Sequence, residues 1–266
     1  MEKKPAPLLI PDWPAPSSVK AWVTSREPVF AGFPRNKTAF GAFNVGHHVG
    51  DSPIVVAANR DALKTKLGVS HIQWLEQVHG TDVIDIADIA DTALSQNPQA
   101  DALYCQQTGI ACAILTADCL PVIFCSDDGK EIAVAHAGWR GLVAGVLQET
   151  LKKFKAPRQH IMAWLGPAIG PCHFQVGDEV KQAFTETTPE LAACFTASIR
   201  KGQEKTPHWH ADLFQLARTI LFESGLTLIS GGGVCTYCEN QHFYSYRYNH
   251  ERDQQSGRFA TLISLL

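Results

Sequence analysis

Runs of branched apolar residues in the middle of the chain predict a series of buried strands. Three such runs, at 111–118, 121–126 and 131–136, are separated by turn signals such as Asp127-Asp128-Gly129. A fourth run covers 161–167. The other predicted strands are shorter or lie towards the ends of the chain, at 83–87, 226–230, 242–247 and 259–266.

Apolar residues at helical spacing predict four helices between these strands. The first begins with Ser52 as N-cap and Pro53 at the first helical position, and it should end at Gly68. The others are expected at 141–155, 177–186 and 212–224. Because strands and helices are mixed without regular βαβ alternation, we expect an α+β fold with mixed β-sheets flanked by helices. We expect a single domain over 1–266, with a proline-rich, irregular lead-in at 1–18.

Composition and charge indicate a small-molecule partner. The 266 residues are 45% hydrophobic and 18% charged, with a formal net charge of −3, which is ordinary for a soluble globular protein. Without a basic excess we expect no nucleic acid partner. No apolar run is long enough for a signal peptide or a membrane span. We therefore expect a cytoplasmic protein that does not bind membranes and is a monomer or a small homo-oligomer.

Three short segments combine reactive residues with glycines at the predicted ends of elements. They are LEQVHG (75–80), TADCLPV (116–122) and HAGWRG (136–141). Side chains from strand ends converge at one edge of a sheet, so His79, Cys119 and His136 could meet there. Two His and one Cys suit Zn²⁺ and leave its fourth position for water or substrate, and Cu²⁺ also binds such ligands. Taken alone, a histidine is more often a hydrogen-bonded structural residue, and a cysteine in an apolar strand more often belongs to the core.

The HAGWRG segment has a second possible use as an anion site. If a helix begins near Gly141, its free N–H groups and Arg140 would face the site and suit phosphate. Arg60, on the first predicted helix, could supply another positive charge. The alternative is that Gly138 and Gly141 only allow a tight turn, that Arg140 pairs with a surface acid and that Arg60 lies on a solvated face.

Six motifs in one order resemble a known family. They are FNVGHHVGD (43–51), LEQVHG, TADCLPV, HAGWRG, GPAIGP (166–171) and the CT, FYSYR and SGR elements of 235–258. The chain resembles the bacterial purine nucleoside phosphorylases of YfiH type, once called laccase-domain or multicopper polyphenol oxidase proteins, which include a peptidoglycan editing factor. The match covers nearly the whole chain.

The resemblance implies a fold like that of the catalytic domain of cytotoxic necrotizing factor, and Zn²⁺ on His79, Cys119 and His136. It implies phosphorolysis of adenosine, inosine and S-methyl-5′-thioadenosine, with adenosine deamination as a further activity. Purine nucleosides and phosphate would be the ligands. The implied catalytic residues are Cys119, His136 and Arg140. The candidate substrate contacts are Asn44, Arg60, Gln77 and Arg140.

Two other functions remain open from the residues. A copper-dependent polyphenol oxidase would need many more histidine pairs than the single His208-Trp209-His210. An amide hydrolase that edits peptidoglycan could use Cys119 as a nucleophile with a histidine base, or use zinc. The CTYC segment (235–238) is a CxxC pair. No second ligand pair stands near it in sequence, so we expect Cys235 to pack near the site and Cys238 to be incidental.

Overall fold

A computed structural model describes residues 7–30, 40–89, 96–198 and 207–266, and the statements below concern these ranges. The strands are β1 (Leu8–Leu9), β2 (Val19–Thr24), β3 (His71–Gln73), β4 (Val83–Asp85), β5 (Ala102–Cys105), β6 (Ile110–Thr116), β7 (Leu120–Ser126), β8 (Ile132–Ala137), β9 (Ile161–Leu165), β10 (Gln175–Gly177), β11 (Phe195–Ser198), β12 (His208–Ala211), β13 (Leu228–Gly231) and β14 (Phe259–Leu265). The helices are α1 (Pro53–Leu67), α2 (Trp139–Ala144), α3 (Val146–Lys153), α4 (Asp178–Thr185), α5 (Leu213–Glu223) and α6 (Tyr246–His250).

The strands form two large mixed sheets and one small one. The first sheet has the order β1-β2-β14-β6-β3, and only the pair β3–β6 is parallel. The second has the order β13-β9-β7-β8-β5-β4, with parallel pairs at its two edges. The third is antiparallel, in the order β10-β12-β11. The predicted class, α+β with mixed sheets flanked by helices, is confirmed.

The two large sheets pack face to face, and helices cover their outer faces. On β7, Phe124 packs in one core cluster with Leu147 of α3, whereas its neighbour Ile123 packs with Ile114 of β6. This alternation follows from the period of two along a strand. On the far side of the first sheet, Leu63 of α1 joins the core. Because β6, β7 and β8 are covered on both faces, they are apolar almost throughout.

Several predicted elements are confirmed, and one predicted helix is divided. Helix α1 spans Pro53–Leu67 and ends at Gly68, whose φ of 68° is left-handed. The helix expected over 141–155 is instead α2 followed by α3, because Gly145 between them has a φ of 101°. Strand β4 is shorter than expected, because the Asp85 side chain accepts the N–H of Ala87 and starts a 3-10 turn.

The strand predicted over 242–247 is wrong. Phe243 and Tyr244 are buried, which explains their apolar character, but they lie in a turn. Ser245 caps the helix α6 that follows, because its side chain accepts the N–H of Tyr248. Of the lead-in at 1–18, residues 1–6 lie outside the described ranges, and Leu8–Leu9 form the edge strand β1. Within the described residues, we find no helix both long enough and apolar enough to cross a membrane.

Candidate metal centre and its cavity

Three elements bring His79, Cys119 and His136 together. His79 lies in the turn between β3 and β4, Cys119 precedes β7, and His136 is the penultimate residue of β8. The register of β7 with β8 pairs Pro121 with His136, which puts Cys119 beside the end of β8. The Cys119 Sγ lies 3.9 Å from His79 Nε2. One ligand atom from each of the three residues lies within 4.8 Å of the other two.

The chain adopts left-handed backbone conformations next to the ligands. His79 has a φ of 62° and Asp118 a φ of 92°, which costs about 1–3 kcal/mol for a residue other than glycine. Hydrogen bonds hold the second turn in place. The Asp118 carboxylate accepts the Thr236 hydroxyl at 2.6 Å and the Arg247 N–H at 2.6 Å. The strained turn therefore fixes the position from which Cys119 reaches the site.

Asp101 connects two of the ligands. One carboxylate oxygen accepts the N–H of His79 at 3.0 Å and the Nδ1–H of His136 at 2.7 Å. The other accepts the N–H groups of Val78 at 3.1 Å and Gly80 at 2.6 Å. Burial raises the pKa of this carboxyl, but the His136 hydrogen bond and charge and the backbone N–H groups give it a net lowered pKa. An ionised Asp101 can only accept, so His136 carries its proton on Nδ1 and turns Nε2 to the site.

The thiol and the imidazoles strongly perturb one another. Burial raises the pKa of the Cys119 thiol, but the adjacent His136 and His79 more than offset this and lower it to about 6. Burial lowers the pKa of His136, whereas the Cys119 thiolate and Asp101 raise it, with a net value of about 9. A thiolate is thus available at neutral pH, and the thiolate is the form that binds metals.

The donor set and its spacing fit a zinc ion. Tetrahedral Zn²⁺ with Zn–N and Zn–S bonds of usual length keeps its ligand atoms about 3.4–3.8 Å apart. The observed 3.9 Å between Cys119 Sγ and His79 Nε2 is close to that spacing. Gly138 leaves room for this approach. A Cβ at Gly138 would lie 3.0 Å from His79 Cδ2, 3.2 Å from Cys119 Sγ and 3.5 Å from His136 Cε1.

The three residues line a cavity of about 710 Å³. This volume is in the range of small-molecule sites, about 300–1,000 Å³. The other lining residues are His47, His48, Leu75, Glu76, Gln77, Asn97, Leu115, Thr116, Ala117, Tyr246 and Arg258. The site therefore combines metal-suited ligands, one arginine and an apolar wall.

The other residues predicted from the sequence have different positions. Gln77 lines the cavity, but its amide is held by the backbone of Leu115, at 2.8 Å to the carbonyl and 2.7 Å from the N–H. Arg60 lies behind the wall. It donates to the Val45 carbonyl at 2.9 Å, contacts His47 Nδ1 at 3.1 Å and covers the Trp74 ring at 4.2 Å. It therefore orders the 45–47 segment rather than facing the cavity.

Asn44 and Arg140 are not brought to the cavity. Asn44 is fully buried, and its side chain bonds to the Gly46 backbone, to Asp51 and to the Arg258 N–H. The Asn44 side chain therefore orders the surrounding loop rather than facing the cavity. Arg140 is exposed, with its guanidinium 4.5 Å from the centre of the Trp139 ring. Helix α2 begins two residues earlier than predicted, which turns Arg140 outward.

Several lining residues were not singled out by sequence reasoning, and three of them have notable surroundings. Arg258 is half-buried and donates through Nη1 to the carbonyls of Ser256 and Gly257, and burial lowers its pKa. Burial and the nearby Arg258 lower the pKa of His48 to about 4. The Thr116 hydroxyl is buried and has no hydrogen-bond partner among the described residues. All three lie within motifs of the family resemblance (FNVGHHVGD, TADCLPV and SGR), but nothing in those motifs singled them out.

Comparison with known proteins identifies the family of this chain. The family described as multi-copper polyphenol oxidoreductase laccase matches residues 23–266. Purine nucleoside phosphorylase YfiH of Escherichia coli is 43% identical, covering 97% of this chain and 99% of its own length. A purine nucleoside phosphorylase of Pseudomonas aeruginosa is also 43% identical, with 97% and 98% coverage.

A solved structure shows the same fold. The crystal structure of Neisseria meningitidis protein NMB0706 has a TM-score of 0.86 and 41% identity, covering 97% of this chain and 99% of that one. The mixed sheets thus belong to a fold that this chain shares with that protein. The chain is a member of the laccase-like family that contains the YfiH-type purine nucleoside phosphorylases.

Proposed function

We propose that this protein is a zinc-dependent purine nucleoside phosphorylase that acts on adenosine, inosine and S-methyl-5′-thioadenosine. One observation carries the proposal: a single cavity combines the ligand trio of His79, Cys119 and His136 with the half-buried cation of Arg258. Relatives that match almost the whole chain are named purine nucleoside phosphorylases, which supports the same substrate class here.

Arg258 is the residue that we assign to phosphate. Its Nη1 is engaged by two carbonyls, whereas its Nε and Nη2 have no partner among the described residues. Two such N–H groups can bind two phosphate oxygens side by side. His48 lies on the same cavity and stays neutral at pH 7, because its pKa is lowered to about 4. Its neutral imidazole can therefore donate one N–H to the phosphate at this pH.

Thr116 and Tyr246 are suited to the nucleoside. The Thr116 hydroxyl lines the cavity, is buried and lacks a partner among the described residues, and leaving such a group unsatisfied costs about 1–3 kcal/mol. A purine or ribose hydrogen bond would remove that cost. The Tyr246 side chain is 52% exposed at the rim and offers a ring face to a base. Leu75 and Leu115 add an apolar wall on which a purine could pack.

In phosphorolysis, a phosphate oxygen forms a bond to C1′ while the bond from C1′ to the purine nitrogen breaks. The purine leaves with the bonding electrons and takes up a proton. Arg258 holds the attacking anion and offsets its charge, which favours the approach to C1′. Asp101 holds the proton on Nδ1 of His136 and thereby aims Nε2 at the site. A Zn²⁺ on the trio would supply a Lewis acid with one open position.

We also propose adenosine deamination as a second activity of the same cavity. In this reaction water adds at C6 of the purine and ammonia leaves, giving inosine. Zinc sites with an open position support this chemistry in nucleobase deaminases. The ligand trio beside the Thr116 hydroxyl, which is unpartnered within the described ranges, supports such a placement of the base.

The experiment follows both reactions by chromatography. The zinc-loaded protein is incubated with adenosine, with and without phosphate, and adenine, ribose 1-phosphate and inosine are quantified. We expect adenine only with phosphate, and no product from Cys119→Ala or His136→Ala. Adenine formation that is unchanged in these variants would overturn the proposal.

Arginine variants test the phosphate site. Arg258→Gln should raise the KM for phosphate at least tenfold, because it removes a charged, two-pronged donor. Arg140→Gln tests the competing assignment from sequence. Arg252→Gln is the matched control, because Arg252 is exposed and stacks on Tyr248 at 3.6 Å. A phosphate KM that rises for Arg140→Gln and not for Arg258→Gln would move the anion site to α2.

A thiol amide hydrolase is the second candidate, and one observation favours it. The Cys119 thiol has a pKa lowered to about 6 and lies 3.9 Å from His79 Nε2, which is the arrangement of an activated nucleophile. A peptidoglycan peptide would be its substrate. Cleavage of such an amide by metal-free protein would favour this function over phosphorolysis. Oxidation of a polyphenol by the Cu²⁺-loaded protein would favour the oxidase instead.

A further inference from the structure

A second group of metal-ligating side chains lies outside the cavity. Cys172 and His173 follow β9, and the CxxC cysteines Cys235 and Cys238 follow β13. The Cys172 Sγ lies 3.7 Å from Cys238 Sγ and 4.0 Å from Cys235 Sγ. Ligand atoms of Cys172, His173 and Cys238 all lie within 4.8 Å of one another. The sequence has no second ligand pair near the CxxC, but the fold brings Cys172 and His173 close to it.

We propose that this cluster binds a second Zn²⁺ through Cys172, His173, Cys235 and Cys238. The spacing of the sulfurs supports this assignment. Two thiolates on one tetrahedral zinc lie about 3.8 Å apart, whereas the sulfurs of a disulfide lie about 2.05 Å apart. The observed 3.7 and 4.0 Å match the first value. Four protein ligands leave no open position, so this site is structural rather than catalytic.

The surrounding residues are arranged for a bound ion. The Gly170 N–H donates to Cys235 Sγ at 3.1 Å, a hydrogen bond that stabilises sulfur in its charged, ligating form. A Cβ at Gly170 would lie 3.1 Å from Cys235 Cβ, so the absence of a side chain allows this approach. The His173 ring stacks on Tyr237, with centroids 3.8 Å apart and planes 16° apart. These contacts fix two ligands before an ion binds.

The second site is connected to the first through hydrogen bonds. Thr236, within the CxxC segment, donates to the Asp118 carboxylate at 2.6 Å. Arg247 donates through its guanidinium to the His173 carbonyl at 3.2 Å and through its backbone to Asp118 at 2.6 Å. Asp118 sets the turn that carries Cys119. An ion that joins the two segments would therefore hold the turn of the catalytic ligand as well.

The test counts zinc in variants of the full chain, independently of activity. Each protein is purified in reducing buffer, saturated with Zn²⁺, freed of excess metal and measured by elemental analysis. Wild type should hold one more zinc per chain than Cys172→Ser/Cys238→Ser. The double variant Cys119→Ala/His136→Ala should keep one zinc at the cluster. Cys194→Ala is the control, because Cys194 is buried and belongs to neither ligand group.

Two further measurements keep the result decisive. Added Zn²⁺ should raise the Tm of Cys119→Ala/His136→Ala, and the rise should be lost when Cys172→Ser/Cys238→Ser is added. The Co²⁺-loaded Cys119→Ala/His136→Ala protein should show thiolate-to-metal absorption. A Cys119→Ala/His136→Ala protein without zinc would overturn the proposal. So would a Cys172–Cys238 disulfide, detected as a loss of two hydrogen masses in reducing buffer. Neither outcome overturns the proposed phosphorolysis, whose metal ligands are those of the first site.

Discussion

Replacing Asp101 with asparagine should weaken metal binding at the first site. The carboxylate accepts four hydrogen bonds, two at each oxygen. An asparagine side chain has nearly the same shape as the aspartate, but its NH₂ group would face two of the four N–H donors that the carboxylate accepts. The conflict is least if that group faces His136, because a neutral imidazole can move its proton from Nδ1 to Nε2 and accept. His136 would then present an N–H to the metal instead of a lone pair.

The expected loss follows from this change of tautomer. Removing the partner that orients a ligating histidine costs about 10–100-fold in metal affinity, or about 1.4–2.7 kcal/mol. The His79 N–H shares its oxygen with His136, so its turn should loosen in the same variant. We therefore expect a value towards the upper end of the range.

Competition with a chelator of known zinc affinity measures this loss. Asp61→Asn is the matched control, because Asp61 is exposed on α1, away from the trio. To isolate the first site, both substitutions are made in the Cys172→Ser/Cys238→Ser background. Zinc affinity within about twofold of the parent for Asp101→Asn would refute the claim that Asp101 sets the His136 tautomer.

Three other predictions follow from the local geometry. In metal-free protein, the rate of Cys119 alkylation by iodoacetamide should rise with pH with a midpoint of about 6, because thiolate forms above the lowered pKa. Bound Zn²⁺ should protect the thiol. A midpoint near the ordinary pKa of a thiol would contradict this prediction. The Gly138→Ala variant should fold, since the backbone angles φ −60° and ψ 154° suit alanine. It should contain less zinc than wild type when measured by elemental analysis, because its Cβ would lie 3.2 Å from Cys119 Sγ. A zinc content equal to that of wild type would contradict the account. The Gly145→Ala variant should have a free energy of unfolding in urea about 1–2 kcal/mol below that of wild type, because a φ of 101° strains any residue other than glycine. An unchanged urea midpoint would contradict this prediction.

Much of the fold could be predicted from local patterns. The apolar runs of β6, β7 and β8 stand out because both faces of each strand are covered, and α1 is bounded by a proline and a glycine with clear geometric roles. The strand predicted at 242–247 fails because burial of Phe243 and Tyr244 in a turn produces the same apolar signal as a strand. Periodicity alone does not distinguish these two cases.

The meeting of the candidate metal ligands could be predicted from the sequence, whereas most of the cavity lining could not. His79, Cys119 and His136 lie at element ends, where convergence is expected, and the family resemblance chose them from other candidates. Arg140 is absent from the cavity lining, because α2 begins two residues earlier than predicted and Arg140 lies at an exposed position of its first turn. Arg258 could not be found from spacing, since its approach to the cavity depends on how β14 enters the first sheet.

The second group of metal-ligating side chains, at Cys172, His173, Cys235 and Cys238, could not be predicted from local sequence patterns. Cys172 lies far from the CxxC in sequence, and only the parallel pairing of β9 with β13 brings their following loops together. Local motifs do not contain that pairing. The close approach of Gly170 to Cys235 and the stacking of His173 on Tyr237 depend on the two loops being adjacent in the fold.

The most direct test of the central claim is phosphate-dependent adenine release by one preparation, measured after chelation and again after stoichiometric Zn²⁺ is restored. The account predicts loss of adenine formation on chelation and its recovery with zinc, in wild type and not in Cys119→Ala. Full adenine release by the chelated protein, or release that does not require phosphate, would contradict it.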